Sequence, residues 1–202
     1  MKRVRKTTPR GFTLIELMIS VTILAILATL AIPSIQSAFR SIEMNRVTQE
    51  VMHMVDFARV QATSRNRAYQ LVVNPGAGSN GTITINESIN SRCNGFGTGI
   101  KNIRALDFNS DDYKLAKIVQ VVPSALGGSY NLCFKPDGRV LRDDTGKPIP
   151  STVVGYGSGE ARIVIQRLGL NKGVQEVQGV AHQIVIPYNG IPTFQAGLPV
   201  GT

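Results

Sequence analysis

Residues 12–39 read FTLIELMISVTILAILATLAIPSIQSAF, a run of 28 residues in which Glu16 is the one charged side chain. From Leu17 to Phe39 there is no charge. Coiled as a helix at about 1.5 Å per residue, that stretch spans roughly 34 Å, which matches a bilayer core of about 30 Å. It is expected to be a membrane segment. Upstream, Lys2, Arg3, Arg5, Lys6 and Arg10 are five bases without an acid. Such a flank holds the amino terminus in the cytoplasm and sends everything after Arg40 to the outer face of the membrane.

The five bases also explain the overall charge. Across 202 residues, 22 bases against 13 acids give +9, a surplus that alone would suggest nucleic acid or an anionic membrane as partner. Setting the five aside leaves 17 bases against 13 acids, a surplus of four. With 43% hydrophobic and 17% charged residues, the chain is neither disordered nor a multi-span membrane protein. Its length allows one sizeable domain plus an appendage. Aromatics are 6% and tryptophan is absent, so the core must rest on aliphatic side chains and short β elements.

Three processing fates fit this start: a secretory signal, a plain anchor, and a segment cut before its apolar part. A signal peptide needs a small-x-small site after the apolar region, for which Thr29-Leu30-Ala31 is a poor candidate. A plain anchor leaves Glu16 unexplained, because a lone carboxylate in lipid costs about 2.5 kcal/mol or more. A cut between Gly11 and Phe12 frees an α-amino group on Phe12, one helical turn from Glu16, on the same chain or a neighbouring one.

The heptapeptide Gly11-Phe12-Thr13-Leu14-Ile15-Glu16-Leu17, after a basic leader and before an apolar helix interrupted by Pro33, resembles the amino terminus of type IV prepilins and type II secretion pseudopilins. The resemblance implies that a membrane-bound prepilin peptidase cuts after Gly11 and N-methylates Phe12. The family's glutamate is the fifth mature residue and its helix-kinking proline the twenty-second, which places them at Glu16 and Pro33. These two are the assembly residues. Pro33 removes one backbone hydrogen bond and permits a bend when subunits pack.

The helix is expected to run from Phe12 to about Ala68, roughly 80 Å. Val47, Val51, Met54, Val55, Ala58 and Ala62 form the stripe of an amphipathic helix lying on a domain, with Arg40, Arg46, Arg59, Arg65 and Arg67 on a solvated or interfacial face. Its bare first half must sit in lipid or against copies of the same helix, and movement between these two apolar settings is a physical basis for building a filament out of a membrane. Short β-type runs follow at 69–73, 82–85, 115–122, 130–134, 139–141, 162–168 and 183–187, with a hairpin turn at Lys135-Pro136-Asp137-Gly138 and long loops over 86–110 and 143–161. The expected fold class is α+β, a long amino-terminal helix packed on a mainly antiparallel β head, the pilin fold. Three parts follow in order: a leader at 1–11, a membrane and assembly helix at 12–39, and a head at 40–202 made of an amphipathic helix, 40–68, and a β domain, 69–202.

Ala58-Arg59-Val60-Gln61-Ala62-Thr63-Ser64-Arg65-Asn66, an immediate strand, and Phe134 to Arg139 are similar to the H-type pseudopilin and FimT/FimU-like minor pilin family. That likeness implies a minor subunit at or near a filament tip, in a complex that primes assembly. The partners expected are other minor and major pilins or pseudopilins, the prepilin peptidase, the inner-membrane assembly platform and, before assembly, the bilayer. The expected place is the bacterial inner membrane, single-pass with a periplasmic head, then the pilus or pseudopilus. A type II secretion pseudopilin is the alternative, and a DNA receptor for transformation the third reading, not favoured.

Cys93 and Cys133 lie beyond the membrane segment, where an oxidising periplasm favours a bridge between them over two separately buried thiols. No catalytic constellation, metal cluster or cofactor motif is expected: the chain is read as the substrate of a peptidase, not an enzyme. Gly76-Ala77-Gly78-Ser79-Asn80-Gly81 matches the dinucleotide string but precedes a β run, so it reads as a hairpin loop. His53 reads as helix surface and His182 as a strand-edge residue, without a ligand cluster. Candidate DNA contacts are Lys135, Arg139 and Arg142, set against the simpler reading of a hairpin whose arginines are solvated, since Asp137, Asp143 and Asp144 dilute the charge.

Overall fold

The computed structural model describes residues 12–76, 78–94, 96, 100–123, 128–142, 149, 159–171 and 174–197. Side chains at 30, 31, 33, 34, 36, 37, 142, 170, 171, 174 and 175 also lie outside the description. The leader with Gly11, the Pro33 and Arg142 side chains, and most of the loop expected over 143–161 therefore fall outside it. The chain divides into two compact units, Met1–Ile42 and Glu43–Thr202.

Helix α1 runs Leu14–Arg65, two residues inside the expected start and three short of the expected end. Asn66 stops it by taking φ 51°, the left-handed conformation that closes helices, and Arg65 places a cation on the last turn. In the second unit the expected stripe is the buried one: Val47, Val51, Met54, Val55, Ala58 and Ala62 are all at most 1% exposed, and Met44, not anticipated, joins them at 6%. Each larger aliphatic side chain so buried contributes about 1.5–3 kcal/mol against leaving it in water.

Among the described residues nine strands follow: β1 Tyr69–Asn74, β2 Thr82–Glu87, β3 Lys101–Asp107, β4 Ala116–Val122, β5 Tyr130–Phe134, β6 Val140–Arg142, β7 Ala161–Asn171, β8 Val174–Ile186 and β9 Thr193–Gly197. They form a five-stranded sheet in the order β3-β2-β1-β5-β6 and a four-stranded sheet in the order β4-β7-β8-β9. Each described pairing is antiparallel. Tyr69, Leu71, Ile83, Ile85 and Leu132 from the first sheet and Ile118, Ile163, Ile165 and Ile184 from the second are fully buried with the helix stripe in one cluster. The head is an α+β unit, as the sequence implies.

Three expectations need correction. The loop expected at 86–110 contains β3, an edge strand whose polar, mostly exposed sequence KNIRALD lacks alternation, with a register shift at Ile85/Asn86 where it joins β2. The run expected at 183–187 is the end of a 13-residue strand, whose Gln, Gly and His residues hide it from a hydrophobicity reading, and Pro187 lies beyond it. Consequently β9 was not anticipated, and it covers His182, which pairs with Ala196 and is not at an edge.

Candidate functional site

At the amino end, Phe12 and Thr13 precede the helix. Thr13 and Glu16 close its first turn on each other. The Glu16 N–H donates to Thr13 Oγ1 at 3.3 Å, and the Thr13 N–H and hydroxyl donate to Glu16 Oε2 at 3.3 and 3.2 Å. This is a capping box, in which two residues satisfy each other's orphan donors. Glu16 thus has a role in the uncut chain that sequence reasoning missed, although Thr-x-x-Glu before an apolar run is its signature. The charge partner expected for it, a free α-amino group on Phe12, exists only after a cut.

Past the cap, the described side chains from Phe12 to Ile42 are all exposed, with Phe12 at 80% and Leu14 at 78%. The polar ones among them hide their hydroxyls. Ser20 donates to the Glu16 carbonyl, Thr22 to Ile19 and Thr29 to Ile26, at 2.7–2.8 Å. A hydroxyl returned to its own helix adds little desolvation cost in an apolar medium. Among the described residues no helix is long and apolar enough to cross a membrane; the span expected over 12–39 includes six side chains outside the description.

In the head, Cys93 and Cys133 are joined in a disulfide that buries with Ala68 against Phe96 and Leu141. The bridge fixes the stretch after β2 to the middle of β5. Beside it, Lys135 and Arg139 are brought together by a tight turn in which the Gly138 N–H donates to the Lys135 carbonyl at 2.9 Å and Gly138 takes φ 82°. Both cations converge on one carboxylate. Lys135 Nζ lies 3.2 Å from Asp137 Oδ2, and the Arg139 guanidinium donates to the same oxygen through Nε and Nη2. The Arg139 side chain, ahead of other causes, holds the Asp137 carboxyl down to about 2, and Asp137 in return raises Arg139. The pair that would meet phosphates is already engaged.

Two further arginines behave likewise: Arg65 and Arg67 both lie 3.5 Å from Glu87, whose side chain is 8% exposed. An open groove of about 460 Å³ is lined by Glu50, His53, Asp56, Phe57, Val60 and Arg104. Of these, Arg104 is paired with Glu50 and stands 5.8 Å over the Phe57 ring. His53 therefore sits at the rim of this groove, as the surface reading expects.

His182 joins three elements. Thr48 has one hydroxyl hydrogen, and its Oγ1 sits 2.8 Å from the Met44 carbonyl and 2.7 Å from His182 Nδ1. With the hydroxyl donating to Met44, Nδ1 must carry the proton and donate to Thr48. Phe194 tilts against the ring at 5.0 Å between centroids. Burial pushes the imidazole down from its ordinary 6.5. Among the described residues no group of three or more His, Cys, Asp or Glu side chains could hold a metal ion. The glycine string between β1 and β2 is a hairpin loop: Asn109 Oδ1 accepts the Ser79 and Asn80 N–H groups at 2.9 and 3.0 Å, and Asn109 Nδ2 donates to Asp107 at 2.7 Å. The Asn109 backbone N–H, which donates to Asp107 Oδ1 at 2.9 Å, and after it the side-chain amide, lower the Asp107 carboxyl.

A family model described as the prokaryotic N-terminal methylation motif matches residues 7–32. No curated protein and no solved structure matches the chain significantly. The amino terminus is a type IV pilin-like prepilin leader. The match ends before the head, so the head's likeness to the H-type and FimT/FimU-like proteins rests on the residues quoted above.

Proposed function

We propose that the chain is a minor pilin of a type IV pilus, cut by the prepilin peptidase between Gly11 and Phe12, methylated on Phe12, and used to prime assembly at or near the tip. The observation that carries this reading is the methylation motif over 7–32 running into an exposed apolar helix and an α+β head. Before assembly, the apolar segment holds the protein in the inner membrane with its head in the periplasm, and afterwards it packs against the same segment of neighbouring subunits.

The capping box bears on how such a segment changes surroundings. While the leader is attached, Thr13 occupies the carboxylate; after cutting, a methylated α-amino group on Phe12 is a competing cation one turn away. The same chemistry fits an H-type pseudopilin of a type II secretion system, and a gene deletion discriminates the two. Loss of surface filaments and twitching is the expected result, whereas loss of exported enzymes with intact filaments would move the protein to secretion. Mass spectrometry of the native polypeptide is expected to begin at methylated Phe12, and Gly11→Val to leave the leader attached. A mature chain beginning at Met1 would overturn the reading in both systems.

A further inference from the structure

From Val177 to Thr202 the sequence has no Asp, Glu, Lys or Arg, in a chain with 17% charged residues. Among the described residues, this stretch forms most of β8, the turn after it, and β9. It exposes large apolar side chains among uncharged polar ones: Val180 is 58% exposed, Ile191 47%, Phe194 45% and Tyr188 41%, beside exposed Asn189, Thr193 and Gln195. Depletion of charge with exposed aromatics is the compositional mark of an interface core.

The sheet edges sharpen the point. β6 has three residues, and Val140 gives its N–H to the Tyr188 carbonyl at 2.9 Å. β4 carries Lys117, and Ile118 gives its N–H to the Asn80 carbonyl at 2.9 Å. β3 is guarded by Lys101, Arg104 and Asp107. Among the described residues β9 pairs with β8 alone and carries no charge, proline or bulge, the devices by which sheet edges avoid pairing. Alternate residues of β9 turn their N–H and C=O groups away from β8, as on any antiparallel edge strand.

We infer that β9 is the surface through which two copies of this chain join, edge to edge and antiparallel about a twofold axis at Gln195. The sequence Thr193-Phe194-Gln195-Ala196-Gly197 is self-complementary in that register. Phe194 faces Ala196 and Thr193 faces Gly197, so a large side chain meets a small one in every pair but the central one. Phe194 and Ala196 share a face with Ile184 and His182, whereas Gln195 lies on the other face, held by Arg162 at 3.0 Å. The two four-stranded sheets become one of eight strands, and no ion is buried unpaired. With no charged side chain on β9, the edge brings no like charges together. The inference stands on the second sheet alone and holds whichever assembly system the amino terminus serves.

Directly opposed residues of an antiparallel pair lie about 4.5–5.5 Å apart at Cα, within disulfide range. The test is Gln195→Cys in the full chain, in its own membranes and in detergent micelles. The native cysteines are already joined to each other and do not compete. A disulfide-linked homodimer is expected, about tenfold more abundant than from Asn102→Cys on the guarded β3 edge. Phe194→Lys is expected to weaken the micellar dimer by about tenfold or more, since like charges then face the joined strands, with an unchanged circular dichroism spectrum. Equal cross-linking at the two edges, a dimer indifferent to Phe194→Lys, or cross-linking of Gln195→Cys to a polypeptide of another mass would each overturn it.

Discussion

His182 is held neutral by its surroundings: burial depresses the imidazole, and Thr48 accepts its one proton. A histidine whose folded value lies below its unfolded value of 6.5 binds more protons when unfolded, so stability rises with pH. The contribution is fully present above the unfolded value and is lost as pH falls through the folded one. Thermal unfolding of the full chain in detergent is expected to show a midpoint that falls as pH is lowered below 6.5, and His182→Gln to flatten that slope. An unchanged slope would show that other groups carry it. Asp137 works at the opposite end of the scale. Held down to about 2, it keeps Lys135 and Arg139 engaged at every physiological pH, and whatever it contributes is lost as pH falls from 3.8 through about 2.

At the scale of elements, the disulfide closes a loop of 40 residues of sequence separation between the stretch after β2 and β5. On the chain-entropy model such a loop stabilises by about 4 kcal/mol. Replacing both cysteines by serine is expected to lower the unfolding free energy by roughly that amount, measured by denaturant titration, with a steeper slope because the unbridged unfolded chain is less compact. A loss below about 1 kcal/mol would mean that the connected segment is already ordered when unbridged. What could be read from sequence follows the same division. The helix stripe from Val47 to Ala62 was legible because a 3.6-residue period with one dry face has few alternatives. The turn at Lys135 to Gly138 was legible because proline, aspartate and glycine each fix a backbone angle there. β3 and the first half of β8 were not, since a strand held by backbone pairing at an edge or within a ribbon needs no apolar alternation. The capping box was visible in principle but was hidden by reading Glu16 as a charge and not as an acceptor. The convergence of Lys135 and Arg139 on Asp137 depends on side-chain direction at a turn, which spacing alone does not supply.

For the whole molecule, the buried cluster among the described residues begins at Met44, inside the second unit. A chain starting at Glu43 is therefore expected to be soluble without detergent and to unfold with a sharp thermal transition, while one starting at Val60, lacking Met44 to Ala58, is expected to aggregate. Failure of the first would show that the apolar half of α1 contributes to folding the head.

The strand order carries a consequence for how that head comes apart. β4 leaves the first sheet after β3 to pair with β7 in the second, and the chain then returns to place β5 beside β1. Neither sheet closes until the chain has visited the other, so neither is a separate folding unit. Pairings so distant along the chain make assembly slow relative to a helical bundle of equal size. They also couple the two layers, so that hydrogen exchange in Leu71 of one and Ile163 of the other should report the same opening event.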